Sequence, residues 1–469
     1  MEFMEGSEPV SPTGQYLNSS VLCVSIITVL ESEVPINDVH IISFLKDVFL
    51  TINPRFSSVM VTDGKGDKQW KRVEVKVEDH FNVPIFPVGL SPTSYDEYLD
   101  NYLSKIAMDP FPQSKPLWEL HVFKYPTSNA TSNIIFKLHH SLGDGYSLMG
   151  ALLSCLRRAD NPSVPLTLPS RRNSEPESDN RSAWTRVPPI FPLIFNSLSD
   201  FGWSMLKSTL VEDDQTPIRS GDEGVEYRPI TISTMTFSLD RIKHMKEKLG
   251  LTTNDVITGI IFLGTRLCMQ EISHGSSKAN STALVLLNTR MIRAYKSVKE
   301  MVEPDSESPW GNRFAFLHVS IPKFKDPKSS DPLEFVWEAH KIIKRKRSSL
   351  GVYLTSRLLE IVKELRGPEA VARYIHGTLR NSSMTVSNVI GPVQKVAFVN
   401  HPLKGLYYMT VGVPQNLTLT IVNYMGELRV TAGIEKGFLD PEKFKSCMKN
   451  AFEMMLKAVD ELPPRKTSI

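Results

Sequence analysis

The pattern of apolar and polar positions is sharpest at residues 134–138, Ile-Ile-Phe-Lys-Leu. This stretch is short, apolar and rich in branched and aromatic side chains, which predicts a buried strand. Residues 141–145 read as a turn, and 146–158 have the apolar spacing and length of a helix. Two histidines, His139 and His140, therefore close a strand, with Asp144 four residues beyond the second. Strand side chains alternate between faces. His140 thus shares a face with Ile134, Phe136 and Leu138, and His139 one with Ile135 and Lys137. The two rings point apart, and His140 is the better placed to look inward.

The same patterning predicts strands at 21–30, 56–61 and 116–123, a helix opened by Pro35 and Asn37 and running to about 52, and a helix over 95–106. Residues 162–182, with prolines at 162, 165, 169 and 176, read as a linker too polar to pack. The apolar run 187–206 is broken by Pro188, Pro189, Pro192, Asn196 and Asp200, so it is a poor membrane span. Past Pro192, Leu193, Ile194, Ser197, Leu198, Phe201 and Met205 recur at helical spacing. That pattern fits a helix lying on a bilayer surface and equally one packed on a domain.

The second half reads as a strand over 231–237, a helix over 239–249, and N-cap chemistry at residues 252–255 before a helix over 256–268. Strands follow at 283–287 and from 314 to 321, then helices from 333 to about 375. A hairpin, 417–424 and 427–434, and a helix over 441–462 close the chain. Strands and helices mix throughout, so the class is α/β or α+β. Three regions result: 1–160, a connecting stretch 161–229, and 230–469.

Composition narrows the chemistry. A chain of 469 residues with 41% hydrophobic content buries sizeable cores. A net charge of +3 gives no sign of a nucleic-acid partner. Cys23, Cys155, Cys268 and Cys447 form no Cys-x-x-Cys pair, which argues against zinc and a disulfide framework and fits a reducing compartment. Residues 1–14 are polar, carry Glu2, Glu5 and Glu8, and do not read as a signal peptide.

Three chemistries compete for the histidine stretch. Metal binding by His139, His140 and Asp144 is opposed by the alternation, which sends the two rings to opposite faces. A serine nucleophile would be Ser147, but residues 145–150, Gly-Tyr-Ser-Leu-Met-Gly, only approach Gly-x-Ser-x-Gly, and Ser147 would lie inside a helix. General-base catalysis suits a neutral imidazole of ordinary pKa about 6.5 accepting a proton from an attacking hydroxyl. Against all three stands a core histidine with its hydrogen bonds satisfied.

Residues 139–145, His-His-Ser-Leu-Gly-Asp-Gly, resemble the His-His-x-x-x-Asp-Gly signature of the wax ester synthase/diacylglycerol acyltransferase family in its plant branch. Other stretches agree in family order: Val-Ser-Pro at 10–12, Pro-Leu-Trp at 116–118, Asn254-Asp255, Asn-Thr-Arg at 288–290, Trp-Gly-Asn at 310–312, and Ser-Asn-Val-Ile-Gly-Pro at 387–392. The resemblance implies two chloramphenicol acetyltransferase-like domains, each with a mixed sheet, and an active-site tunnel at their interface. It implies His140 as general base, His139 as auxiliary, and Asp144 as a structural group paired with Arg290, with helix N-capping alone as the plainer role for Asp144. Asn254, Asn288 and Gly145 become candidates for substrate contact.

It further implies acyl-coenzyme A as co-substrate, a fatty alcohol or diacylglycerol as acceptor, no metal, no other cofactor and no protein partner. The expected address is the endoplasmic reticulum membrane with the site facing the cytosol, or the cell membrane. The basic run 344–347, Lys-Arg-Lys-Arg, reads either as a receiver of coenzyme A phosphates or lipid head groups, or as a solvated helix face. Two rivals remain. Related soluble acyltransferases acting on other alcohols or amines carry an Asp-Phe-Gly-Trp-Gly that this chain lacks. A catalytically silent lipid-binding scaffold would not need His140 and Asp144.

Overall fold

The computed structural model describes residues 3–64, 67–166, 190–290, 310–324 and 331–463. Most of the expected linker, from 167 onward, lies outside the described residues. The described strands of the first half are β1 (Phe3–Pro9), β2 (Ser25–Ser32), β3 (Ser58–Thr62), β4 (Lys68–Val73), β5 (Phe81–Asn82), β6 (Trp118–Phe123), β7 (Ser132–His139) and β8 (Leu156–Arg158). Those of the second half are β9 (Ile230–Ser238), β10 (Thr282–Asn288), β11 (Phe314–Ser320), β12 (Met384–Val389), β13 (Val396–Phe398), β14 (His401–Val411), β15 (Leu417–Tyr424) and β16 (Glu427–Glu435). The helices that matter below are α1 (Pro12–Tyr16), α2 (Pro92–Met108), α3 (Gly145–Ser154), α4 (Ile190–Thr209), α5 (Leu239–Leu249), α6 (Thr253–Ile272), α7 (Pro332–Ser348), α8 (Gly351–Arg366), α9 (Pro368–Arg380) and α10 (Pro441–Asp460).

Two mixed sheets carry the fold. The first has seven strands in the order β5-β6-β7-β2-β14-β13-β8, the second six in the order β11-β10-β12-β15-β16-β9. β7 lies between β6 and β2, antiparallel to both. Its alternation is as expected: Ile134, Phe136 and Leu138 enter one core with Leu148 and Met149 of α3, while Ile135 enters another with Tyr95 and Leu99 of α2. In the second lobe α6 and α10 pack together against the sheet, and Phe262, Met448 and Phe452 lie in its core. A smaller cluster crosses the seam, joining Tyr16, Leu17 and Val24 to Leu284, Ala372 and Ile375.

The division at residue 230 does not separate the sheets. β13 and β14 belong to the second half of the chain yet pair within the first sheet, β14 along the whole of β2. β14 is apolar toward both sides: Leu406 and Tyr408 join one core, Tyr407 and Met409 the other. A strand buried on both faces shows no alternation of polar and apolar positions. The helical run after 333 is three helices, broken at Ser349 and Gly367.

Most of the run 187–206 forms α4. It packs against α8 and α9, but with Ser197, Ser204, Lys207 and Ser208 inward and Leu198 and Leu206 exposed. Lys207 is held there by Asp213 at 2.5 Å and by the carbonyl of Asn381 at 2.8 Å. The buried face is polar because specific partners receive it. Among the described residues, no helix is long and apolar enough to cross a membrane.

Candidate active site

His140 follows the last residue of β7, its N–H donating to the carbonyl of Val24 at 2.9 Å. The turn after it ends at Asp144, which caps α3 by accepting from the Ser147 N–H at 3.1 Å. The Trp310-Gly311-Asn312 turn of the second lobe sits on this turn. Trp310 Nε1 donates to the Leu142 carbonyl at 2.6 Å, and Asn312 Nδ2 donates to the His140 carbonyl at 2.9 Å.

That last contact fixes the chemistry of the ring. Since the amide nitrogen of Asn312 faces the His140 carbonyl, its Oδ1 faces His140 Nδ1, at 2.9 Å. Oδ1 only accepts, so Nδ1 carries the proton and Nε2 carries the lone pair. The imidazole is buried and tilted against Phe314, with ring centroids 5.5 Å apart. Burial pushes its pKa below the ordinary value; the charge of Asp144 and the Asn312 bond oppose that shift without reversing it.

Asp144 and Arg290 meet across the seam. Arg290 Nη1 donates to Asp144 Oδ2 at 2.6 Å, and the pair is buried. The other guanidinium nitrogen, Nη2, donates to the Gly311 carbonyl at 2.6 Å and the Ser147 hydroxyl at 3.0 Å. The Arg313 N–H also donates to Asp144 Oδ2, at 2.9 Å. Asp144 therefore both caps α3 and ties the lobes together. Ser147 Oγ is engaged by Arg290 and by the Gly311 backbone, which leaves it no role as a nucleophile.

His139 looks the other way. Its Nδ1 accepts from the Ser141 N–H at 3.1 Å, so Nε2 holds the proton and faces Cys23 Sγ at 3.4 Å. Burial first, then His140, Lys68 and Lys137, hold its pKa down to about 3. Both nitrogens are occupied, and the ring packs edge-on against Phe111.

His140 lines a cavity of about 130 Å³ with walls from both lobes, among them Tyr146 and Met149 on one side and Asn288 and Ser387 on the other. An apolar recess continues from it into the first core, past Gly145, Met149 and Val389 toward Phe136 and Leu152. A Cβ at Gly145 would come within 2.8 Å of Val389 Cγ2, so a glycine keeps this passage open. A second cavity, about 270 Å³, meets the first at Phe314 and runs along β11 between α1, α8 and α9. His140 lines the first space, and Phe314, against which its ring packs, lines both.

The other candidates divide. Asn288 lines the first cavity, but its Oδ1 already accepts from the Arg290 N–H at 2.9 Å. Asn254 stands off the wall and touches it through Asn388, whose Nδ2 donates to Asn254 Oδ1 at 3.3 Å. Trp118 is core, its indole N–H donating to the Phe56 carbonyl at 2.8 Å. Of the basic run, Lys346 is buried against Asp200 at 2.7 Å and the other three are exposed. Asn312 and Phe314 carry more of the site than the sequence suggested. The available signal was an amide in a Trp-Gly-Asn turn opening a strand, which a turn alone also explains.

Comparison with solved structures gives the class first. The chain aligns over 97% of its length, at TM-score 0.57 and 15% identity, with 99% of a wax ester synthase/diacylglycerol acyltransferase from Marinobacter aquaeolei VT8. It aligns at TM-score 0.54 and 10% identity with the starter condensation domain of rhizomide synthetase, covering 97% of this chain and 94% of that one. The fold is the two-lobed one shared by these acyltransferases and condensation domains.

Sequence then gives the family. Residues 54–257 match the wax ester synthase/diacylglycerol acyltransferase catalytic domain, and residues 310–456 the WS/DGAT C-terminal domain. Wax ester synthase/diacylglycerol acyltransferase 4 of Arabidopsis thaliana is 30% identical over 94% of this chain and 88% of its own length. Number 11 of the same plant is 29% identical over 97% and 96%. The chain belongs to the wax ester synthase/diacylglycerol acyltransferase family, and it is an acyltransferase.

The pH dependence of kcat/KM tests the state of the ring. The neutral imidazole is the form able to accept a proton, and burial favours it. Activity is therefore expected to persist as the pH falls through about 6.5, with the acid limb below that ordinary value. Asn312→Asp places a carboxylate beside Nδ1, stabilises the imidazolium and should move the limb upward. An unmoved limb would mean that the titrating group is not His140.

Proposed function

We propose that this acyltransferase moves a long-chain acyl group from acyl-coenzyme A to the hydroxyl of a fatty alcohol or a diacylglycerol, with His140 as general base and no acyl-enzyme. The observation that carries the reading is the Asn312 contact, which leaves the lone pair on Nε2 of a ring that lines the cavity between the lobes. The acceptor hydroxyl gives its proton to Nε2 as its oxygen bonds to the thioester carbon. The tetrahedral intermediate then expels the coenzyme A sulfur, which takes the proton back from the imidazolium. The products are a wax ester or triacylglycerol and free coenzyme A.

A positioned base of this kind contributes about 10² to 10⁴ in rate, and holding both substrates in one seam supplies a further share. The apolar recess past Gly145 suits an alkyl chain. Asn288 and Asn388 put two side-chain amides on the cavity wall. Lipid acceptors favour work at a membrane surface, and the cytosolic face of the endoplasmic reticulum is the address we assign.

Purified protein given palmitoyl-coenzyme A with hexadecanol or with diacylglycerol is expected to form the corresponding ester. Initial-rate kinetics should show a ternary complex, and radiolabelled acyl-coenzyme A alone should leave no label on the protein. A trapped acyl adduct would refute the direct transfer.

A further inference from the structure

α8 roofs the second cavity while being thinly packed itself. Val352, Thr355 and Leu359 line the cavity from above, yet Gly351 is the helix's one buried residue. Its opposite side is apolar as well. Leu350, just before the helix, and Leu354, Leu358, Ile361 and Leu365 recur at intervals of four, four, three and four, which places them on one side of a helix. Leu365 is 78% exposed, and Leu350 and Ile361 are each 52% exposed. A surface helix ordinarily turns its apolar stripe to the core and a polar face to water. α8 has an apolar stripe on each side.

α4 shows the same reversal, with serines inward and Leu198 and Leu206 outward, followed by Leu210 just beyond its end. The two helices meet where the Leu350 N–H donates to Ser197 Oγ at 2.9 Å. Positive charge lies at the junction: Lys344, Arg345 and Arg347 are exposed at the C-terminal end of α7, just before α8. On α8 itself Arg357 pairs with Glu360 at 2.8 Å; at the α7 end Arg345 and Lys346 share Asp200, at 3.1 and 2.7 Å, so one carboxylate meets two cations and that end stays positive. Exposed leucines beside a basic cluster complement a bilayer that carries anionic lipid. The cavity beneath reaches Phe314, whose ring packs against that of His140.

We propose that the outer faces of α8 and α4 dock on an anionic bilayer, and that the lipid acceptor passes from it beneath α8 into the second cavity and on to His140. The path rests on the reading that the acceptor is a lipid; the docking does not. Flotation of the full chain, without substrates, tests the docking on vesicles of phosphatidylcholine alone or with about 20% phosphatidylserine. The parent should float with the mixed vesicles and far less with the neutral ones. The double variant Ile361→Asp/Leu365→Asp should float about tenfold less, since two charges in place of two apolar anchors oppose insertion.

The same variant should lose about tenfold of its transfer to diacylglycerol held in vesicles, yet keep transfer to short water-soluble alcohols within about twofold. Leu210→Asp, just beyond the end of α4, gives an independent variant should the first fail to fold. Equal flotation of parent and variants, or no flotation of the parent on either vesicle, overturns the docking. So does a parent dimer that Ile361→Asp/Leu365→Asp dissolves, because the stripe would then join two copies. Failure of the parent to transfer to soluble and vesicle acceptors alike would instead strike the proposed reaction and leave the flotation result standing.

Discussion

His140→Ala is expected to lower the turnover of acyl-coenzyme A by about 10² to 10⁴, the range that a positioned general base supplies. The protein should remain folded. The ring lines a cavity on one side, and its backbone bonds, from N–H to Val24 and from carbonyl to Asn312, do not need the side chain. Thermal unfolding followed by circular dichroism, alongside initial rates, separates the two effects. His139→Ala is the control: it empties a buried space beside Phe111 and removes no proton acceptor from the cavity, so its cost should fall on stability more than on rate. If His139→Ala abolished turnover in a folded protein and His140→Ala did not, the assignment of the two rings would be reversed.

Arg290→Met should be the most destabilising single change at the seam, by about 3 to 5 kcal/mol, because it strands the buried carboxylate of Asp144 without its cation. Asp144→Asn keeps an oxygen to cap α3 and should cost less by itself. The double variant leaves no unpaired charge, so the costs should not add; a coupling of about 1 to 3 kcal/mol is expected from denaturant unfolding of the four proteins. Additive effects would mean that the pair does not act as a unit. Turnover should fall in both single variants, since the same guanidinium holds the Gly311 carbonyl one residue before Asn312.

Much of this site was legible in the chain because it depends on local order. Five residues of alternation were enough to send His139 and His140 to opposite faces, and β7 does so in the core contacts of its two sides. The hairpin of β15 and β16 turns at Met425 and Gly426, both with positive φ, where the pattern placed it. Thr252 and Asp255 form a capping box at the head of α6, where the residues promised N-cap chemistry.

Other features carry no local sign. β14 lacks alternation because both its faces are covered, and nothing in its residues names β2, nearly 400 positions earlier, as its neighbour. In α4, hydrophobic spacing chose a face through Leu198, whereas Asp213 and Asn381 draw Lys207 and its serine neighbours inward. There, tertiary partners outweigh the pattern.

Sequence by itself determined that a histidine ends a buried strand, that an aspartate follows at the head of a helix, and which family's motifs surround them. These are matters of chain neighbours and of a two-residue period. The tertiary structure decided which nitrogen of that histidine holds the lone pair, what neutralises the aspartate, and that a cavity walled by both lobes opens beside the ring. Each of those depends on a residue from the other lobe: Asn312 lies 172 positions from His140, and Arg290 lies 146 from Asp144. A tautomer and a buried charge are set by what stands within hydrogen-bonding distance, and only the folded chain brings those groups there.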